Sequence, residues 1–189
     1  MDDPLSNEEK QMLLSLARSA LEAGVRGAAR PQPDLDAMPP RLGADGASFV
    51  TLTIHGELRG CIGALEASQP LATDVCEHAV AAALEDPRFP PVRPDELARI
   101  DVEVSRLTAP YELQYRDPDE LLQKLRPGVD GVILRDGGRR ATFLPQVWEK
   151  LPDKSEFLDN LCAKMGASPD AWRRQHLQVQ TYQVEEFHE

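Results

Sequence analysis

An α+β fold built on a mixed, largely antiparallel sheet with flanking helices is the reading that this chain of 189 residues supports, and three observations carry it. Alternating strand patterns meet across glycine-containing turns near Gly56 and at Gly137-Gly138, which marks hairpins. Helical stripes lie among the strands without the regular strand–helix alternation of a doubly wound sheet. Phosphate loops, dinucleotide fingerprints and nucleophile elbows are missing from the sequence.

Taken in order, Ser6 to about Gly24 reads as a helix. Ser6 and Glu9 have capping-box spacing, and Met12, Leu13, Leu16, Ala20 and Leu21 form its apolar stripe. Residues 25–47 read as a long Pro/Gly-rich connection, with Pro31, Pro33, Pro39 and Pro40 setting extended structure. Ser48 to His55 alternates as a strand, with Val50, Leu52 and Ile54 on one face. Gly56-Glu57 fits a two-residue type II′ turn, which wants glycine first. That register sets Ile54 opposite Arg59 and Leu52 opposite Cys61, so both would share the apolar face, with His55 on the other.

Ser68 to about Glu85 reads as a helix with a small-residue face at Ala79 and Ala81-Ala82-Ala83, tolerating Pro70 in its first turn. The run Asp86-Pro87-Arg88-Phe89-Pro90-Pro91-Val92 then stiffens the chain. A helical turn at Asp95-Glu96-Leu97 precedes a strand from Ile100 to Leu107, with Val102 and Val104 inward and Glu103 opposite. Asp117-Pro118-Asp119-Glu120 opens a helix to about Leu125. Strands at 131–136 and 139–144 form the second hairpin, and Pro145-Gln146-Val147-Trp148 turns the chain out of it. Asp153 and Glu156 open a helix closed by Gly166, Ser168-Pro169-Asp170 starts a short one, and residues 178–187 read as one last strand.

Hydrophobic content of 41% and charged content of 28% are those of a globular domain with its own core. A net charge of -11 argues against nucleic-acid binding, which needs a basic face; Arg135, Arg139 and Arg140 are the only dense cationic cluster. No apolar run approaches the ~20 residues of a membrane span. The opening Met1-Asp2-Asp3-Pro4 lacks a signal peptide's apolar core, so a cytoplasmic protein is expected. Cys61, Cys76 and Cys162 do not suggest a disulfide framework, and neither they nor the histidines have metal-ligand spacing. Cys76 and Cys162 fall on apolar helix faces, as packing residues.

Chemistry concentrates in Leu58-Arg59-Gly60-Cys61-Ile62-Gly63. Arg59 and Cys61, two apart in a strand, share a face, and a guanidinium beside a thiol favours the thiolate. Gly60 and Gly63 leave the backbone open to close approach. The candidate catalytic group is Cys61, Arg59 and Glu103, with Glu103 or Asp86 orienting Arg59 or moving protons. Substrate contacts would come from Arg88, Asp86, Phe89, Gln146, Gly60 and Gly63.

Six segments in order carry a resemblance: Ser48-Phe49-Val50-Thr51-Leu52, the Cys61 stretch, Pro70-Leu71, the Asp86–Val92 loop, Glu103-Val104-Ser105 and Phe143-Leu144-Pro145-Gln146-Val147. Together they resemble the AMMECR domain family, also called AmmeMemoRadiSam system protein A, over about residues 6–187. The resemblance implies a single AMMECR-type domain over residues 1–189, with a larger sheet-and-helix lobe and a smaller α/β lobe. It also implies association with a Memo-like protein and a radical S-adenosylmethionine protein. It supplies no reaction and no cofactor. Positions matching its motifs are Arg59, Gly60, Cys61, Gly63, Asp86, Arg88, Phe89 and Gln146; where the family pattern puts glycine-leucine before Phe143, this chain has Ala141-Thr142.

Two functional classes stay open at this level. One is a small-molecule enzyme with Cys61 as nucleophile, lacking an obvious histidine base. The other is a non-catalytic adaptor in which Arg59 and Arg88 anchor a small anionic ligand or a partner's carboxylate, with Cys61 as a core residue.

Overall fold

The structure, a computed structural model, describes residues 4–189, so the acidic opening Met1-Asp2-Asp3 lies outside the described residues. Helix α1 (Asn7–Val25) starts where the sequence predicts. Ser6 accepts from the Glu9 N–H, while the Glu9 carboxylate accepts from the Ser6 N–H, satisfying two otherwise orphan donors. The connection that follows is more ordered than its prolines suggest. A 3-10 turn (Leu35–Ala37) and α2 (Pro40–Gly43) interrupt it, and strand β1 (Asp45–Ile54) begins three residues before Ser48. Next come β2 (Glu57–Gly63), the two-residue β3 (Gln69–Pro70), α3 (Leu71–Leu84) and β4 (Ile100–Leu107).

The chain then forms a second compact unit, Thr108–Val184. It contains β5 (Tyr111–Glu112), α4 (Pro118–Lys124), β6 (Gly131–Asp136), β7 (Arg139–Phe143), α5 (Lys154–Lys164), α6 (Ala171–Arg174) and β8 (Gln178–Tyr182). Strand β9 (Val184–His188) returns to the first unit, which Glu185–Glu189 complete. The single last strand expected over 178–187 is therefore two strands in two sheets. Alternation alone cannot show this break: both halves alternate, and only their hydrogen-bond partners differ.

In the first unit the antiparallel sheet runs β2-β1-β4-β9, with β3 paired to the start of β1. Val50, Leu52, Val102 and Val104 point from it into a core shared with Leu13, Leu21, Val75 and Ala79 of α1 and α3. Small residues on α3 let the helix lie close to the strands. In the second unit the sheet runs β5-β8-β6-β7. Its core holds Leu121, Val132, Leu134, Leu158, Leu161 and Trp172 around Trp148, whose ring stacks on Phe157 with centroids 3.6 Å apart. Among the described residues no helix is long and apolar enough to cross a membrane.

Candidate functional site

The first hairpin turns one residue earlier than glycine-first spacing suggests. His55 and Gly56 occupy the turn with φ of 54° and 80°, and Ile54 pairs with Glu57. Positive φ at both central residues is the type I′ pattern, whose twist suits a two-residue hairpin. Histidine is one of the non-glycine residues that enter this region more readily. A bulge then falls between Thr53↔Leu58 and Leu52↔Gly60, leaving Arg59 as the extra residue. The net slip is one residue, which exchanges faces. Cys61 lies opposite Thr51 rather than Leu52, and Ile54 does not face Arg59.

The physical reason for this register lies at Gly60. It points toward α3, where a Cβ would overlap the carbonyl oxygen of Ala82. Only glycine fits there, so its neighbour Cys61 is turned to the face away from the helices. On that face Gly63 lies under the Phe49 ring, which a side chain at 63 would displace. Thr51 pairs with Cys61 on one side and with Glu103 on the other, making one row across three strands.

Asp86 and Arg88 hold the outer edge of β2 by side chains instead of by another strand. The Asp86 carboxylate accepts from the Cys61 N–H at 2.8 Å, and the Arg88 guanidinium donates to the Cys61 carbonyl at 3.1 Å. Locally, Asp86 also accepts from the Arg88 backbone N–H at 3.0 Å, and its carbonyl accepts from the Phe89 N–H at 3.2 Å. This is an aspartate-initiated turn for which Pro87 sets the backbone. The Arg88 side chain closes on the same carboxylate at 2.9 and 2.6 Å and lies 5.6 Å from the Phe89 ring centroid. Arg88 holds the buried Asp86 carboxyl far below the usual carboxylate range. Asp86 in turn raises Arg88, to which the adjacent Cys61 thiol also contributes.

Because both outward groups of Cys61 are taken by this clip, Thr51 and Cys61 form a pair that exchanges no backbone hydrogen bonds. Such pairs bring side chains closest, with Cα atoms about 4.5 Å apart. The Thr51 hydroxyl accordingly donates to the Cys61 sulfur at 3.3 Å. Cys61 is half-buried, whereas Cys76 and Cys162 are buried. Burial pushes the Cys76 thiol up to about 11 and raises that of Cys162 as well. Glu103 is also half-buried; burial, and then the charge of Glu186, raise its carboxyl while His188 opposes them.

Arg59 has a different partner from those the sequence suggests. Its Nε and Nη2 donate to the two carboxylate oxygens of Glu96, at 2.8 and 3.2 Å, while its buried Nη1 has no hydrogen-bond partner. Glu96 also accepts from the Arg93 N–H at 2.8 Å. The guanidinium that meets Cys61 is that of Arg88, at the Cys61 carbonyl. Gln146 lies exposed in the second unit, on the 3-10 turn Pro145–Glu149. Thr51 and Glu96 escaped the sequence reading; a register shifted by one would have flagged Thr51, whereas no local signal marks Glu96 as the partner of Arg59.

The Arg59–Glu96 pair has a pH consequence. Arg59 lowers the Glu96 carboxyl from 4.5 to about 2. In the interval between these values the unfolded chain binds more protons, so the pair's stabilisation is present above it and is lost as pH falls through it. Glu96→Gln is expected to lose about 1–3 kcal/mol at neutral pH. Its deficit against the wild type should shrink as urea midpoints are followed down toward pH 2.

The AMMECR1 family model matches residues 14–187. A protein of Methanothermobacter thermautotrophicus is 44% identical over 98% of this chain and 97% of its own length. Protein MK0488 of Methanopyrus kandleri is 39% identical over 100% of this chain and 92% of its own. The crystal structure of the uncharacterized protein PH0010 from Pyrococcus horikoshii superimposes with a TM-score of 0.79 at 34% identity, covering 98% of this chain and 93% of that one. A match across nearly the whole chain in sequence and in fold places this protein in the AMMECR1 family.

Proposed function

We propose that this protein is a small-molecule enzyme in which Cys61 is the nucleophile. The observation that carries the reading is the setting of that one thiol. Its backbone is clamped on both polar groups, its sulfur accepts from Thr51, and it is half-buried while the other two cysteines are enclosed. A fixed backbone and an oriented sulfur are what nucleophilic attack requires. Arg88 replaces Arg59 as the cation beside the sulfur, and its half-exposed guanidinium suits a substrate carrying an anionic group. Glu103, in the same row beyond Thr51, is the proton-carrying group, since a raised carboxyl releases and takes protons nearer neutrality. Phe89 and Gly63 shape the surroundings of the thiol, while Gly60 faces α3 and acts only by turning Cys61 to the opposite face. We place this activity in the cytoplasm, alongside the Memo-like and radical S-adenosylmethionine partners that the family resemblance implies and apart from nucleic acid.

Native labelling with a thiol reagent tests the core of this reading. Rapid modification of a single thiol per chain near neutral pH is expected, abolished in Cys61→Ser and slowed about tenfold in Arg88→Gln. Labelling of Cys61 only on unfolding would end the enzymatic reading and leave the adaptor. Metabolite profiles of cells carrying wild-type protein or Cys61→Ser would then identify the substrate class, as a compound that accumulates only with the variant.

A further inference from the structure

A groove of about 530 Å³ lies on the first unit, away from the Cys61 row, between one face of α1 and the segment that follows it. Glu8, Gln11, Met12 and Leu16 supply the α1 wall, and Asp34 and Met38 the other. The α1 residues fall at i, i+3, i+4 and i+8, so the groove follows roughly two turns, about 12 Å. Its floor is apolar: Met12, Leu16 and Met38 are partly buried and rest on the core beneath. Methionine thioethers are flexible and polarisable, and they fit side chains of varied shape.

The charge around the floor is one-sided. Glu8 and Asp34 are exposed at the groove, and among the described residues lining it none carries a positive charge. Neither carboxylate forms an ion pair among the described residues. The cations of α1 itself are occupied elsewhere, Lys10 with Glu185 at 2.8 Å and Arg18 with Glu189. An apolar floor about one helical turn long, in a groove that runs two turns and is flanked by unpaired carboxylates, complements an amphipathic helix whose apolar face is bordered by lysine or arginine.

We propose that this groove docks a short amphipathic helix, basic at its flanks, presented by a partner protein. The occupant lays apolar side chains at i and i+4 over Met12, Leu16 and Met38, while its cations meet Glu8 and Asp34.

The test uses the full chain, isotope-labelled for amide spectra, and a synthetic amphipathic peptide of leucine and lysine about three turns long. Expected are shift changes concentrated on residues 8–16 and 34–38. Affinity should fall about tenfold when Glu8→Lys and Asp34→Lys are combined, both at exposed positions that leave folding intact. Met12→Ser should weaken binding comparably, and a peptide with glutamate in place of lysine should not bind. The proposal is overturned by an affinity that the double charge reversal leaves unchanged, or by shifts spread over the acidic surface. Shifts produced by a free cationic amphiphile such as dodecylammonium but not by the peptide, or no response to the peptide at about 1 mM, would overturn it equally.

Discussion

Gly60→Ala is expected to destabilise the protein by about 4 kcal/mol or more, enough to remove most of the net stability of an ordinary domain. The added methyl would overlap the Ala82 carbonyl oxygen, which belongs to the backbone of α3 and not to a side chain that could rotate away. Relief requires β2 and α3 to separate. That would open the contact between Gly60 and a helix whose buried residues Leu71, Val75, Ala79 and Ala82 help form the core of the first unit. A urea titration checks this: the midpoint should collapse, or the variant should be recovered only as unfolded or aggregated chain. Wild-type stability in Gly60→Ala would show that β2 does not run where the structure puts it. It would also restore the register with Cys61 on the core-facing side.

Asp86→Ala should have the second-largest effect, about 3–5 kcal/mol, because it strands several groups at once. The Cys61 N–H loses its acceptor, the Arg88 backbone and guanidinium lose theirs, and the β2 edge loses its cover. Asp86→Asn keeps the shape and an acceptor oxygen and should lose appreciably less. The sign of the pH dependence follows from the depressed carboxyl. The clip's contribution is full above the ordinary aspartate range and disappears as pH drops below it, so Asp86→Asn should flatten the acid limb of the wild-type stability curve. The same variants separate structure from chemistry. Loosening the clip should make Cys61 labelling less dependent on Arg88, because the guanidinium is no longer tethered beside the sulfur.

The local signals translated directly. The Ser6–Glu9 box began α1, Asp117 and Asp153 capped α4 and α5, and Gly137 turned the second hairpin. Each depends on atoms within a few residues of one another, so the chain's own order contains the answer. The motif residues around Cys61, Asp86 and Arg88 were legible as a group for the same reason: they are short runs. What was misread needed partners far along the chain. Turn type at His55-Gly56 and the bulge at Arg59 follow from how β2 must lie against Ala82, 22 positions beyond Gly60. The pairing of Arg59 with Glu96 spans 37 positions. The split of the last strand depends on which sheet each half joins.

Composition, capping and motif order by themselves determined an α+β chain of the AMMECR1 type with one unusual thiol segment. Tertiary structure alone decided which way that thiol faces and which arginine closes on its backbone. A period-two strand carries no memory of which face is inside until something packs on it. Here the carbonyl of Ala82, admitting only a hydrogen at Gly60, makes that choice.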